Sequence, residues 1–245
     1  MRVLSIIPAR MGSSRFPGKP LAKINGKHMI DIIYNVSKMS KLIFKTYIAT
    51  CDNEIYDHCI KNNQNVVMTS KKHQRATDRS EEALRILEKK LKKTFDIILM
   101  IQGDEPMVTT QMLNLAIKKL IQNKNYGVLN LYSKILTKKE TLDKNTIKVV
   151  ISKNQDAIYF SRSIIPSDGE LSKDYFKQVC VIPFRRKFLK NFVKMKETIL
   201  EKKESIDMNR ALENNLKIKM QKINQFTHAV DHIYDIKIVE KYLKR

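Results

Sequence analysis

The sequence has no long apolar segment and few cysteines. No apolar run approaches the roughly 20 residues that a membrane-spanning helix needs. The apolar stretch 3–9 is too short for a signal peptide and is followed directly by the charged Arg10. The three cysteines, Cys51, Cys59 and Cys180, have the spacing of neither a disulfide framework nor a zinc site. These absences predict a soluble cytoplasmic protein whose cysteines are buried structural thiols.

Acidic residues are few as well, because 47 lysines and arginines face 25 aspartates and glutamates, which gives a formal net charge of +22. Such an excess raises the question of nucleic-acid binding. The excess is mostly lysine and is scattered along the chain, whereas nucleic-acid surfaces cluster their charge and use arginine with stacking aromatic residues. We therefore predict that the protein binds neither nucleic acid nor a membrane, and that its positive charge favours anionic substrates.

Glycine and proline are also scarce, with six of each among 245 residues. Four of the glycines and four of the prolines lie in only two segments, 8–26 and 102–106. A chain that otherwise avoids both residue types keeps them where the backbone needs special dihedral angles or approaches a ligand closely. The two segments are therefore the first candidates for a functional site.

Short apolar runs alternate with helical spacing over the first half of the chain. Strands are predicted over 3–8, 46–50, 66–68 and 97–101, and helices over 29–40, 54–61, 79–93 and 109–122, with Asp78 as the cap of the third helix. Buried strands that alternate with helices favour a mostly parallel sheet covered on both faces. Beyond residue 126, strands are predicted over 127–134, 147–152, 157–161, 176–183 and 216–221, and helices over 186–195, 206–214 and 232–243. The expected fold is one α/β domain, 1–245, with a mixed insertion in its middle.

The segment 8–20 follows the first strand, at the edge where open α/β sheets bind ligands. Its small residues offer backbone N–H groups, and Arg10, Arg15 and Lys19 add three cations, so the segment is suited to hold phosphates. It matches neither GxxxxGK[ST] nor GxGxxG. The alternative is a solvated basic loop.

The second segment, 102–106, places Asp104 and Glu105 at the carboxyl end of the strand 97–101. Carboxylates close to bound phosphates suit Mg²⁺, a cation that prefers oxygen ligands. The alternative is an acidic turn that caps the helix beginning at residue 109. Together the two segments indicate a nucleoside triphosphate, a magnesium ion and displacement at phosphorus.

Seven motifs follow one another along nearly the whole chain: PARMGSSRFPGKPL at 8–21, HQRATDR at 73–79, QGDEP at 102–106, IKVV at 147–150, AIYFSRSIIP at 157–166, RALEN at 210–214 and VD at 230–231. Each alone is weakly specific, but the ordered set resembles the 3-deoxy-manno-octulosonate (Kdo) cytidylyltransferases, also called CMP-Kdo synthetases. The resemblance implies a Rossmann-like nucleotide-diphospho-sugar transferase fold, with a nucleotide-binding part near 1–125 and a sugar-acid and dimerisation part near 126–245.

The same resemblance implies a cytoplasmic, Mg²⁺-dependent homodimer that transfers CMP from CTP to the anomeric hydroxyl of Kdo, releases pyrophosphate and serves lipopolysaccharide or capsule synthesis. By position, Arg10, Lys19 and Asp104 would be catalytic, and Asp104 and Asp231 would bind the metal. The nucleotide would be bound by Ala9, Arg10, Gly12, Ser13, Arg15, Lys19, Arg75, Thr77 and Arg79, and the sugar acid by Gln102, Arg162, Gln178 and Asp207. No general base is certain: His73 is a candidate, with a structural role as its alternative, and Asp231 has the alternative role of capping a helix from 232.

Departures from the family's patterns fall on the acceptor side. Where the family has H-x-G-[IV]-Y, this chain has Gln178, Cys180 and Ile182, and a Glu-Gln pair has become Asp207-Met208. Losing hydrogen-bonding groups changes which acceptors a site rejects. Two explanations stay open, sequence drift with an unchanged substrate and specificity for a modified octulosonate set by Gln178, Ile182, Asp207 and Met208. Two further hypotheses are a cytidylyltransferase for a nonulosonate or a phosphonate, and a non-catalytic nucleotide- or nucleic-acid-binding relative.

Overall fold

The computed structural model describes residues 1–13, 15–167 and 175–243. The first part of the chain forms β1 Val3–Pro8, β2 Lys23–Ile24, β3 Lys27–His28, α1 Met29–Lys38, β4 Lys45–Thr50, α2 Asn53–Lys61, β5 Val66–Met68, α3 Ala76–Leu91, β6 Ile97–Ile101 and α4 Thr110–Gln122. The second part forms β7 Leu129–Lys134, α5 Lys138–Leu142, β8 Lys148–Ile151, β9 Ala157–Ser161, β10 Phe176–Val179, β11 Val181–Arg185, α6 Arg186–Phe192, α7 Ile199–Glu204, α8 Met208–Glu213, β12 Lys219–Lys222 and α9 Asp235–Leu243.

The first sheet has the strand order β11-β6-β1-β4-β5, and all pairs but β11-β6 are parallel. Successive side chains of a strand point to opposite faces, and here each face meets its own core cluster. Val3 and Ile7 pack in one cluster with residues of α1, α2 and α4, while Leu4 and Ile6 pack in the other with residues of α3 and α6. The predicted mostly parallel sheet, covered on both faces, is confirmed.

The second sheet has the order β12-β7-β10-β8-β9 and is mixed, since β12 and β7 are parallel and the other pairs are antiparallel. A bridge between Val128 and Phe184 links the segment before β7 to β11 of the first sheet. The predicted mixed insertion is therefore present. The division near residue 125 stays a prediction, and the first sheet draws β11 from the chain beyond it.

The strand predicted over 176–183 is in fact two strands that belong to different sheets. The chain leaves the second sheet after β10 and enters the first sheet as β11, and Cys180 lies between them. The backbone of Cys180 is held on both sides, because its N–H donates to Glu105 Oε1 at 2.8 Å and its carbonyl accepts from the N–H of Gln102 at 3.0 Å. The strand-forming residues over 176–183 give no local sign of such a crossing.

Two predicted helix starts are wrong. Helix α3 begins at Ala76, so Asp78 lies in its first turn, 3.4 Å from Arg210, and does not cap it. Helix α9 begins at Asp235, whose carboxylate accepts hydrogen bonds from the N–H groups of Asp231 and His232. The predicted helix start at 232 and the alternative that Asp231 caps that helix are therefore both wrong.

The short helices α5 and α7 were not predicted, although each carries a start signal. Thr137 accepts from the N–H of Glu140, and the N–H of Thr198 donates to Glu201 Oε2 at 3.3 Å, which is one of the two bonds of a capping box. All three cysteines are buried and unpaired, which confirms the structural interpretation, and burial raises the pKa of Cys59 to about 12. No helix in the described part of the chain is both long and apolar enough to cross a bilayer.

Candidate active site

The two glycine- and proline-containing segments meet at one edge of the first sheet. Strands β1 and β6 are parallel neighbours, so Ala9 and Gln102, which follow them, leave the sheet at the same edge. The close contact depends on Gly103, where a Cβ atom would lie 3.1 Å from the carbonyl oxygen of Pro8. The cations of segment 8–20 and the carboxylate of Asp104 are thereby brought to one place, as the sequence indicated.

A cavity of about 580 Å³ lies over this edge, a volume typical of small-molecule sites. Many of its wall residues come from the predicted site, namely Ala9, Arg10, Ser13, Arg15, Lys19, Arg75, Arg79, Gln102, Asp104, Arg162 and Asp207. The wall is strongly basic, with six of these eleven residues cationic, so it suits an anionic ligand.

Lys19 lies at the centre of the charged groups. It follows Gly18, whose φ of 72° is in the left-handed region, and it begins a single 3₁₀ turn that contains Pro20. Its Nζ lies 2.9 Å from Asp104 and 3.9 Å from Asp231, and it donates to the carbonyl oxygen of Val230 at 2.8 Å. Burial alone would lower the pKa of Lys19, but the two carboxylates, Asp104 above all, raise it above its usual value.

Arg15 forms the second link across the site. Its Nη2 lies 2.9 Å from Asp231, and its Nη1 donates to the side-chain oxygen of Asn145. Burial and the neighbouring charge of Asp104 raise the pKa of Asp231, against the opposing effect of Lys19 and Arg15. Arg10 is exposed as well, and its Nη1 lies 3.5 Å from Gln74 Oε1.

The two predicted metal ligands converge. Asp104 and Asp231 both approach Lys19, and the N–H of Val230 donates to the carbonyl oxygen of Asp104 at 2.9 Å, which holds the two segments together. Within the described ranges no three histidine, cysteine, aspartate or glutamate side chains cluster as a metal cage. Two carboxylates nevertheless fit Mg²⁺, since that ion commonly takes one or two carboxylates and completes its shell with waters and substrate phosphates.

Glu105 does not join these carboxylates, although it follows Asp104 directly. It is fully buried and accepts from the N–H of Cys180. Burial, followed by the negative charge of Asp104, raises its pKa to about 7. Its place is at the crossing between the two sheets.

A second cavity, of about 120 Å³, adjoins the first, and Arg15, Gln102, Asp104, Asn145 and Arg162 line both. Among the predicted residues, Gln178 and Asp231 line only the second.

Arg162 is fixed between the two cavities. Its Nε donates to the carbonyl oxygen of Glu204 at 2.7 Å, its Nη1 to that of Lys144 at 3.1 Å, and its backbone N–H to Glu204 Oε2 at 2.8 Å. The shared wall is therefore held by several elements.

Four predicted site residues lie elsewhere or have other partners. Gly12 and Thr77 line neither cavity, and Thr77 is buried and donates to the carboxylate of Asp207. Arg79 reaches the larger cavity, but its guanidinium donates hydrogen bonds to the hydroxyl of Thr69 and to the backbone oxygens of Ser70 and His73. Asp207 lies on the wall of the larger cavity, not the second, with its pKa raised by burial. Their roles in binding stay predictions.

His73, the candidate base, is paired with Glu82, 2.7 Å from its Nε2, which agrees with the alternative of a structural role. The expectation that Ile182 and Met208 set acceptor specificity by contact is wrong. Both are fully buried in the core cluster that covers α3, and neither lines a cavity.

The sequence also missed wall residues. Lys144 and Asn145 line the larger cavity, and Glu140 and Lys177 form a buried ion pair at the second. Three of these follow from α5 and the turn after it, so the capping signal at Thr137 was the available clue.

The sequence is similar to that of known cytidylyltransferases. Residues 4–218 match the model of the family described as Cytidylyltransferase. The chain is 39% identical to the 3-deoxy-manno-octulosonate cytidylyltransferase of Fusobacterium nucleatum, over 100% of the chain and 98% of that protein. It is 35% identical to the mitochondrial 3-deoxy-manno-octulosonate cytidylyltransferase of Arabidopsis thaliana, over 99% of the chain and 83% of that protein.

Solved structures agree. The structure of a CMP:2-keto-3-deoxy-manno-octonic acid synthetase complexed with CTP superposes with a TM-score of 0.87 at 30% identity, over 100% of this chain and 99% of that one. A cytidylyltransferase from Leptospira borgpetersenii, at 17% identity and a TM-score of 0.66, shares the fold over 100% of this chain and 87% of its own.

Proposed function

This chain belongs to the cytidylyltransferase family, and on that premise we propose that it transfers CMP from CTP to the anomeric hydroxyl of 3-deoxy-manno-octulosonate or a closely related sugar acid, with release of pyrophosphate. The product would serve lipopolysaccharide or capsule synthesis. The support is the similarity over the full length to relatives named for this activity and the site described above. We also propose that the enzyme uses Mg²⁺, acts in the cytoplasm and forms a homodimer.

One observation carries the proposal: the basic cavity and the second cavity share Arg15, Gln102, Asp104 and Arg162 as a common wall. A triphosphate held by the cations of 8–20 and an acceptor in the second cavity would meet at this wall. Holding two reactants in a fixed arrangement removes much of the entropic cost of bringing them together.

The reaction is a displacement at phosphorus. The anomeric oxygen of the acceptor forms a bond to the α-phosphorus of CTP, the bond from that phosphorus to the bridging oxygen breaks, and pyrophosphate leaves with the bonding electron pair. The hydroxyl proton passes to solvent. Arg10, Arg15 and Lys19 stabilise the charge that grows on the phosphate oxygens and on the leaving group.

Asp104 and Asp231 would hold Mg²⁺, which, when bound, neutralises phosphate charge and orders the reacting oxygens. Because both carboxylates contact Lys19, that ammonium sets their distance from the segment 8–20. Arg162 is held by Glu204 and Lys144, so its charge is directed at the shared wall, where the carboxylate of an acceptor would lie.

The test is a pyrophosphate-release assay with purified protein, Mg²⁺, Kdo and each of the four nucleoside triphosphates. We expect release with CTP and Kdo and little with ATP, GTP or UTP. Omitting Kdo gives the background of CTP hydrolysis, and chelating the metal should abolish release. No release with CTP and Kdo, together with intact CTP binding, would contradict the proposal for Kdo.

One feature favours an acceptor other than Kdo. Gln178 lies in the second cavity, at the position where the family pattern H-x-G-[IV]-Y has histidine. The same assay is therefore run with nonulosonates, modified octulosonates and phosphonates. A catalytic efficiency for one of them above that for Kdo would assign this acceptor in its place. Binding of random DNA, measured against salt, tests the hypothesis of a nucleic-acid-binding relative, and light scattering tests the homodimer.

A further inference from the structure

The wall of the second cavity contains an amide pair that no part of the mechanism above uses. Gln178, on β10, lines that cavity, and its Nε2 donates to Oδ1 of Asn130, on β7, at 2.6 Å. Asn130 is completely buried and lines neither cavity. A fully buried amide next to a binding cavity is informative because each of its polar atoms needs a partner.

The orientation of Asn130 is set by the backbone. Its Nδ2 donates to the carbonyl oxygen of Leu131 at 2.7 Å and to that of Val179 at 2.8 Å. Carbonyl oxygens only accept, so the side-chain nitrogen of Asn130 must face them and its oxygen must face Gln178. An inverted Asn130 would leave two carbonyl oxygens against its own oxygen.

The orientation of the Asn130 side chain determines that of Gln178. Because Asn130 presents an oxygen, Gln178 must present its nitrogen to it, and its own Oε1 is left for another donor. Among the described residues none donates to Oε1 of Gln178, and this atom is not sealed in the interior. The backbone of Gln178 is fixed as well, since its N–H donates to the carbonyl oxygen of Ile147 at 2.9 Å.

We propose that Asn130 is a positioning residue that fixes the amide of Gln178 so that its carbonyl oxygen accepts a hydrogen bond from a hydroxyl group of the acceptor sugar. This inference rests on the proposed function, because it concerns the acceptor of the same reaction. The second cavity thus selects, at this point, a hydroxyl or another donor and disfavours a bare methylene or an anionic group. A site built to accept from a hydroxyl rejects an analogue lacking it, because its own polar atom is left unpaired.

The first experiment compares Gln178→Leu and Gln178→His with the unaltered protein, by steady-state kinetics with CTP and Kdo. In Gln178→Leu the KM for Kdo should rise about tenfold, the effect of one lost hydrogen bond, while the KM for CTP stays within about twofold because Gln178 lies outside the larger cavity. Gln178→His should retain the lower KM, because an imidazole that donates to Asn130 presents an unprotonated nitrogen as acceptor. The exposed Gln122→Leu is the matched control.

Asn130 is tested by a double-mutant cycle. Asn130→Ala should raise the KM for Kdo several-fold, and adding it to Gln178→Leu should raise this KM no further, since Asn130 acts only through Gln178. Additive increases would mean that Asn130 has a structural role alone and would overturn the proposal. Thermal melting of each variant shows whether Asn130→Ala folds, and the two Gln178 variants keep the test valid if it does not.

Octulosonate analogues that each lack one hydroxyl identify the group that is recognised. With the unaltered protein, kcat/KM for one analogue should be about tenfold lower than for Kdo. With Gln178→Leu, kcat/KM for that analogue should equal kcat/KM for Kdo. If every analogue loses equally with both proteins, Gln178 accepts from no acceptor hydroxyl and the inference fails. A protein that releases no pyrophosphate with any octulosonate refutes the proposed function instead, so the two failures are distinguishable.

Discussion

Lys19 shows how much of the site depends on one side chain. Two carboxylates, Asp104 and Asp231, lie close together at the edge of the sheet, and Lys19 contacts both while also donating to a backbone carbonyl oxygen. Buried carboxylates that lack a counter-charge favour their neutral form. Lys19 therefore lowers the pKa of Asp231, against the effect of burial, and we propose that it also offers the triphosphate a cation next to both carboxylates.

Replacing this ammonium tests both effects. We expect Lys19→Met to lower kcat/KM for pyrophosphate release by at least about 100-fold, since it removes a charge that, in the proposed reaction, stabilises the reacting phosphates. The pH at which the remaining activity is lost on acidification should also rise, because Asp231 loses a neighbour that lowers its pKa. Lys23→Met, which replaces the exposed lysine of strand β2, is the matched control, and an equal loss there would assign the effect to general charge.

At this scale the sequence predicted correctly that Lys19, Arg15 and Asp104 come together at one cavity. Lys19, Arg15 and Asp104 belong to two loops whose glycines and prolines marked them. Ile182, by contrast, lies beyond the crossing at Cys180, and its side chain faces the core although Gln178, four residues earlier, lines a cavity. Strand alternation cannot be carried across such a crossing, because the chain changes sheet there.

At the level of elements, a buried ion-pair cluster joins α3, α7 and α8. Arg210 of α8 donates to both oxygens of Glu201 of α7, at 2.8 and 2.6 Å, and lies 3.4 Å from Asp78 of α3. Glu201 is completely buried and Arg210 is 2% exposed. Because Asp207, at the start of α8, lines the larger cavity, this cluster also fixes one wall of the site.

Removing Arg210 leaves the buried carboxylate of Glu201 with only Arg75 as a neighbouring counter-charge, 3.5 Å from its Oε1, and an undercompensated buried charge is costly. We expect Arg210→Met to lower the free energy of unfolding by about 3–5 kcal/mol, measured by urea denaturation. Arg85→Met removes an arginine of α3, the helix that contains Asp78. Its side chain is 64% exposed and its partner is Glu82, so this substitution should change stability by no more than about 0.5 kcal/mol. Similar losses in both variants would show that the buried cluster contributes nothing special.

The elements themselves were predictable where they are long. Strand β6 was predicted with its exact bounds, and α4 begins one residue after its predicted start, because apolar spacing over five or more residues is a strong signal. Helices α5 and α7 have five and six residues, which is too short for a helical period to show. The crossing at Cys180 depends on contacts with Glu105 and Gln102, and no local pattern could reveal these.

At the scale of the whole molecule, the two sheets and the two cavities meet at the same crossing. Glu105 follows the metal-binding candidate Asp104 in sequence, yet its carboxylate is spent on the N–H of Cys180, where the chain passes from one sheet to the other. Gln178 lies two residues before Cys180, and the N–H of Gln102 donates to the carbonyl oxygen of Cys180. The relative placement of the two cavities therefore depends in part on one buried hydrogen-bonded side chain.

The last prediction concerns the charge on Glu105. Burial raises its folded-state pKa to about 7, above the usual 4.5, so between these pH values the folded protein binds the proton more tightly than the unfolded chain does. The stability that this group contributes is full below pH 4.5 and is lost as the pH rises through 7. Glu105→Gln keeps an acceptor for Cys180 without the charge, so its melting temperature should gain on that of the unaltered protein from pH 5 to 8.

Melting is followed in metal-free buffer, with the exposed Glu54→Gln as control. Glu105→Leu should be less stable than Glu105→Gln at every pH, by about 1–3 kcal/mol, because the buried N–H of Cys180 then has no acceptor. A constant difference between Glu105→Gln and the unaltered protein over this range would mean that Glu105 is ionised throughout. The two sheets would then be joined by a charged group, and protonation at the crossing would have no part in holding the two halves of the site together.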